Sequence, residues 1–176
     1  MLTRLFQNWA YATPPVALLL LGLYPFIGQA VALPVFLSLP VYMIHQYEEH
    51  DGNRFAAFLN SMMGKDRRGL SPADVWVINV VFVWFLLLGV FYADSLSSGW
   101  GVLAAYLLLI NALVHIAWAI AFKGYNPGLW TSIALFIPLA IWVFFANPAS
   151  LSVHIASALI VLLLHAAIIL AARRPA

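Results

Sequence analysis

The sequence contains no cysteine. That excludes a disulfide framework, thiolate metal ligands and a cysteine nucleophile, and it leaves the redox compartment open. Charge is scarce as well: Asp, Glu, Lys and Arg together make up 8% of the 176 residues, while 65% are hydrophobic. A soluble domain averages about 25% charged and about 45–50% apolar residues. The scarcity therefore excludes an ordinary soluble domain and points to an integral membrane protein. No internal repeat with paired broken segments is present, and that pattern is the usual mark of a secondary transporter. In such a chain nearly every polar residue carries information.

A membrane-crossing helix needs about 20 mostly apolar residues. Six segments qualify, giving an all-α bundle that forms a single transmembrane domain over residues 1–176. The first is expected from about Pro14 to Ala32, with Pro14 and Pro15 suited to a helix start and Pro25 to a kink. Arg4, the apolar run Val16–Leu21 and Gly28-Gln29-Ala30 loosely fit a cleaved secretory signal. Pro14, Pro15, Tyr24 and Pro25 fit it poorly, so a retained span is expected. The second runs from about Leu33 to Glu49, and the pair could instead form one broken or re-entrant element. The others cover about Asp74–Tyr92, Trp100–Phe122, Leu129–Phe145 and Leu151–Ala172. Residues 51–73 form the only long polar stretch. Within it Arg54–Met63 is amphipathic enough for a short interfacial helix, and Ser71-Pro72 reads as an N-cap followed by the first helical residue.

The basic residues test this count. Arg4, the Arg54–Arg68 loop, Lys123 and Arg173–Arg174 fall on one side of a six-span topology, and the opposite loops carry no Lys or Arg. Both termini are then cytoplasmic by the positive-inside rule. The basic 54–68 loop reads as anionic-lipid contact rather than as a nucleic-acid surface.

That topology gathers the polar residues of four spans into one layer. His45 lies about 9 Å, and His115 about 12 Å, from the cytoplasmic loops at 1.5 Å per residue. His165 and Asn79 fall at similar depth, and Asn111 is one turn deeper. Ile44-His45-Gln46-Tyr47-Glu48-Glu49-His50 closes the second span with two adjacent carboxylates. On a helix Glu49 and Glu48 flank His45 by about 40° and about 60° on either side, and His50 lies about 140° round, facing elsewhere or capping the helix. Asn111 and His115 share a face four residues apart. Imidazoles and carboxylates at these spacings build metal sites in helical bundles. His45, Glu49 and His115 make a candidate two-histidine, one-carboxylate set for zinc or iron. Glu48 is the candidate base, and Asn111, Asn79 and His165 are supporting polar groups.

Simpler readings compete. His45 and Glu49 could be an ion pair at a helix end, and His115 could bond Asn111 as packing glue. His165, Asn79 and Tyr106 also suit helix packing, and His154 an interfacial position. Trp9, Trp76, Trp100, Trp130 and Trp142 read as interface anchors, with Trp84 and Trp118 deeper.

His45-x-x-Glu48-Glu49, then Asn111-x-x-x-His115, then Tyr125-Asn126-Pro127-Gly128 resemble, in that order, the three motifs of the HXXEE family of bacterial membrane proteins. The resemblance covers about residues 35–170 and implies a polytopic protein of uncharacterised activity, set in the bacterial inner membrane. It adds weight to Glu48, Glu49, Asn111 and His115 as site residues. The Glu-Glu-x-x-x-Arg motif of intramembrane CAAX-type proteases is not matched, because four residues separate Glu49 from Arg54.

The leading expectation is a metal-dependent enzyme acting on a lipid-like or hydrophobic substrate, either a zinc hydrolase or a non-haem iron oxidoreductase. Tyr125, Asn126, Pro127 and Gly128 would shape the cavity mouth. A cation- or proton-linked binder or transporter is the second class, and haem held by His115 and His165 is the third.

Overall fold

A computed structural model describes residues 2–27, 30–63 and 66–175. Gly28 and Gln29, at the expected end of the first span, and Lys65 of the basic loop lie outside the described residues. Among the described residues every regular element is helical. Six long helices and one short one follow in order: α1 (Arg4–Ile27), α2 (Leu33–His50), α3 (Arg54–Met63), α4 (Pro72–Leu96), α5 (Val102–Phe122), α6 (Leu129–Ala146) and α7 (Leu151–Ala172).

Helices α1, α4, α5, α6 and α7 are long and apolar enough to cross a membrane. Their outward faces support this: Leu18, Leu19, Phe85, Phe145, Leu163 and Leu170 expose between 67% and 85% of their surface. So large an apolar exterior belongs in lipid. Helix α2 differs because the polar run His45–His50 lowers its hydropathy. It lies inside, packed against α1, α4, α5 and α6, with Val35, Tyr42, Met43, His45, Gln46 and Glu49 all buried. A helix that carries its polar groups inward needs a ring of apolar neighbours, and here it has one.

The first helix starts earlier than the proline pair suggests. Its polar opening residues are already helical, and a single 3-10 turn at Trp9–Ala12 joins them to Thr13–Ile27. The Thr13 hydroxyl donates to the Ala10 carbonyl at 2.8 Å across that junction. Trp9, expected at the interface, is buried at 6% exposure, because this turn swings it under α2.

At one end, Arg68 and Gly69 backbone N–H groups donate to the carbonyls of Arg174 and Ala172. Arg67 Nη1 donates to the Arg173 carbonyl at 2.9 Å. The basic loop and the C-terminus therefore share one end of the bundle. Ser71 and Asp74 form a capping box that starts α4, satisfying backbone donors that the first turn leaves free. At the other end, Asp94 is buried within the last turn of α4, beyond the expected end of that span at Tyr92. It accepts from the Gly99 and Gly101 N–H groups, each at 2.9 Å, and from Asn147 Nδ2. One carboxylate thus ties α4 to the start of α5 and the end of α6.

Two helices carry π-helical turns, Val77–Val83 in α4 and Ser132–Phe136 in α6. Such wide turns concentrate at functional sites because they re-aim side chains. Both lie beside the polar layer.

Candidate metal centre

Helix α2 delivers His45 and Glu49 one turn apart, and α5 delivers His115 from the facing side. All three are buried, at 0%, 5% and 2% exposure. Nε2 of His45 lies 3.4 Å from Glu49 Oε2, and Nε2 of His115 lies 3.4 Å from Glu49 Oε1. One ligand atom from each residue can be chosen so that all lie within 4.8 Å of one another. The edge of a tetrahedron built on metal–ligand bonds of about 2.1 Å is about 3.4 Å, so the spacing suits a zinc-sized ion.

The far side of each ring is already engaged. His115 Nδ1 stands 2.6 Å from Asn126 Oδ1, while Asn126 Nδ2 donates to the His115 carbonyl at 2.9 Å. With its amide nitrogen so used, Asn126 can only accept from the ring, so the proton sits on Nδ1. His45 Nδ1 stands 2.8 Å from Thr131 Oγ1. The Thr131 hydroxyl donates to Glu48 Oε2 at 2.6 Å, so its oxygen accepts from the ring. Neutral rings held this way turn both Nε2 lone pairs inward, toward a carboxylate. Three acceptors facing one another repel until a proton or a metal ion lies between them. Among the described residues His45 Nε2 has no hydrogen-bond partner, which leaves it able to serve as a ligand.

The loop between α5 and α6 makes this possible. Gly128 takes a φ of +93°, and a Cβ there would stand 2.7 Å from His115 Cε1 and 2.8 Å from His45 Cε1. Only glycine lets the backbone lie against both rings. Asn126 is buried at 1% exposure and points inward from the same loop. Tyr125 donates to Glu48 Oε1 at 3.0 Å, and burial together with that carboxylate raises its phenol above the ordinary range. Expected at the cavity mouth, the Tyr125–Gly128 loop instead forms one wall of the cluster.

The two adjacent glutamates have separate tasks. Glu49 faces the imidazole Nε2 atoms. Glu48, expected as a base, faces α6, where it accepts from the Trp130 and Thr131 N–H groups at 3.2 and 2.7 Å. It caps the first turn of α6, complementing the positive end of that helix. It reaches His45 only through Thr131. The helical wheel placed the glutamates on opposite sides of His45, and packing set Glu49 beside Nε2 and linked Glu48 to Nδ1 through Thr131.

His50 was expected to face elsewhere, and the structure corrects this. It is buried at 3% exposure, with Nε2 3.0 Å from Glu49 Oε2 but off the line of a hydrogen bond, and Nδ1 has no partner. The wheel angle misleads because α2 ends here, and Trp9 and Phe55 close over the ring with centroids 5.1 and 5.4 Å away. Gln46 escaped sequence reading altogether. Its Nε2 donates to Asn79 Oδ1 at 3.0 Å and its Oε1 accepts from Trp84 Nε1 at 2.7 Å, which locks α2 to the π turn of α4. Phe136, in the π turn of α6, packs on the His45 ring at 4.2 Å.

A cavity of about 90 Å³ adjoins the cluster, lined by Tyr42, Glu49, His50, Asn79, Asn111, His115, Trp118, His165 and otherwise mostly apolar side chains. Asn111 donates to the Tyr42 hydroxyl at 3.3 Å, and His165 Nδ1 to the Val161 carbonyl at 2.9 Å. The cavity thus unites Asn111, Asn79 and His165 with the cluster, but none of the three bonds a candidate ligand. His115 directs Nε2 at Glu49 rather than across the cavity to His165, which leaves the haem arrangement without its second axial partner.

A buried histidine–glutamate cluster able to hold a metal ion, set inside a bundle of membrane-spanning helices, defines the class of protein. The family described as "Protein of unknown function with HXXEE motif" matches residues 36–143, more than half of the chain. The chain belongs to this HXXEE family. No curated protein and no solved structure gives a significant match.

Proposed function

We propose that the chain is a metal-dependent membrane enzyme in which His45, Glu49 and His115 hold one divalent ion beside a hydrophobic substrate. One observation carries the reading: both imidazoles turn Nε2 toward one carboxylate while oxygen acceptors hold their Nδ1 protons. Bound there, zinc would supply Lewis-acid activation of water, and iron would supply oxidative chemistry. The chain's own residues supply orientation and exclusion. Asn126 and Thr131 set the rings, Glu48 positions Thr131, and Gly128 lets the loop close upon the cluster. The apolar cavity keeps bulk water away from the substrate chain.

The basic end of the bundle, which carries Arg67, Arg68, Arg173 and Arg174, is also the end where α2 delivers His45 to His50. This supports a site in the cytoplasmic half of a bacterial inner membrane with both termini inside. Arg54, Arg67 and Arg68 would meet anionic headgroups there.

Metal analysis of the purified, detergent-solubilised protein tests the proposal, with His45→Ala and His115→Ala alongside. Near-stoichiometric zinc or iron is expected in the parent and loss of it in both variants. A parent protein that stays metal-free after incubation with either ion, or metal retained by one variant, overturns the shared site. Stoichiometric metal with no turnover on hydrophobic esters, amides or alkyl chains would favour a cation-linked binder over an enzyme.

A further inference from the structure

His50 and Asn111 both line the cavity, and His50 Nδ1 and Asn111 Oδ1 are buried without a hydrogen-bond partner among the described residues. An unpaired buried polar atom is costly, so natural folds seldom retain one without a ligand or an ordered water. Neither is in the metal-ligand set, and neither is explained by it. His50 is almost wholly buried, at 3% exposure. The rest of the lining is mostly apolar apart from Tyr42, Glu49, Asn79, His115 and His165, and it contains neither Lys nor Arg.

The place of the cavity says how a ligand arrives. One wall is α4, through Val75, Ile78 and Val83, and the opposite wall is α7, through Leu164 and Ile168. Among the described residues α7 runs closely along α5 and along no other helix. Helices α4 and α7 are tied only near the basic end, where Gly69 of the preceding loop donates to the Ala172 carbonyl at 3.0 Å. Beyond that tie the two helices have little direct packing, and both line the cavity. The cavity, at about 90 Å³, has space for about three water molecules at about 30 Å³ each, which suits the head and first methylenes of one slender chain rather than two tails.

We infer that this cavity binds a single-chain amphiphile with an uncharged hydrogen-bonding head, a long-chain alcohol or amide, taken laterally from the membrane between α4 and α7. The head donates to Asn111 Oδ1 and bonds His50 Nδ1, which sets it beside Glu49 and His115. The chain lies among Ile78, Trp118 and Ile168. In the metal-free protein a carboxylate or phosphate head is disfavoured, because no Lys or Arg lines the cavity and Glu49 repels it. The inference rests on the reading that the cavity is the substrate's, but head recognition by His50 and Asn111 does not need the metal.

Trp118 on the cavity wall makes the test direct. The full-length protein in detergent is titrated with chain-brominated stearyl alcohol, and tryptophan quenching is followed before and after metal removal by chelation. Brominated stearic acid and a brominated alkane serve as comparisons. Saturable quenching by the alcohol is expected, absent in Trp118→Phe, with the acid and alkane weaker by about tenfold or more. Asn111→Leu and His50→Phe should each remove that preference, and Ile168→Trp should abolish quenching by filling the cavity. Helix content and elution volume confirm which variants are folded. Equal quenching by all three probes, or a preference that survives in both Asn111→Leu and His50→Phe, overturns the inference. Alcohol preference in the chelated protein together with failure to bind metal would sustain this site while sinking the metal reading.

Discussion

Asn126 and His115 grip each other at two points, ring Nδ1 to side-chain oxygen at 2.6 Å and side-chain nitrogen to backbone carbonyl at 2.9 Å. The two contacts fix both the tautomer and the tilt of the ring. Oriented ligands of this kind bind metal more tightly because their second partner holds the ring in place. Asn126→Ala is expected to weaken metal binding by about 10–100-fold. Asn126→Asp keeps the acceptor and should retain most of the affinity. Competition against a chromophoric chelator measures both, and equal losses in the two variants would contradict the role assigned to the acceptor.

Thr131 does for His45 what Asn126 does for His115, but with a carboxylate behind it. Thr131→Val keeps the shape and removes the hydroxyl, leaving His45 Nδ1 and one Glu48 oxygen short of a partner. A cost of about 1–3 kcal/mol in stability follows, together with weaker metal binding. Thr131→Ser should restore both. Thermal unfolding and metal competition on the same samples check the pair.

Gly128→Ala should be among the most damaging single-carbon changes. The added Cβ would meet both imidazoles at under 3 Å, and the φ of +93° is itself strained for alanine. The backbone strain alone costs about 1–3 kcal/mol, and relief of the clash must push one ring off Glu49. Metal content is expected to fall below detection while helicity stays largely intact, because the change lies in a loop. Normal metal content in Gly128→Ala would show that the rings tolerate displacement.

Asp94 offers a control at the opposite end of the bundle. Asp94→Ala strands the Gly99 and Gly101 N–H groups and Asn147 Nδ2 together. A loss of about 2–4 kcal/mol is expected. Metal stoichiometry at low temperature should be unchanged, since the tie stands apart from the cluster. A lowered melting temperature with full metal content is the predicted result.

Much of the site could be read without coordinates. His45 and Glu49 stand four apart, Asn111 and His115 stand four apart, and the depth of each in its span placed them in one layer. Those are local regularities of a helix in a membrane, and they survive folding. Thr131 left no such trace: one threonine at the start of an apolar helix carries no spacing signal, and its partner His45 lies 86 positions away. Gln46 was hidden by its neighbours in the motif, and Trp9 by a 3-10 turn that no pattern announces. His50 was misplaced because a wheel angle assumes that the helix continues and that nothing packs over its end.

By itself the sequence determined that this is a helical membrane protein with its polar chemistry in one layer. Hydrophobic length and the 3.6-residue period depend on near neighbours along the chain. Only the tertiary structure decided that Glu49 faces the imidazole Nε2 atoms while Glu48 caps α6, and that Nδ1 of each ring is already taken. Those outcomes depend on which helix stands beside which. That is settled by packing across the bundle, where one carboxylate met a pair of imidazoles and its neighbour met the start of a helix.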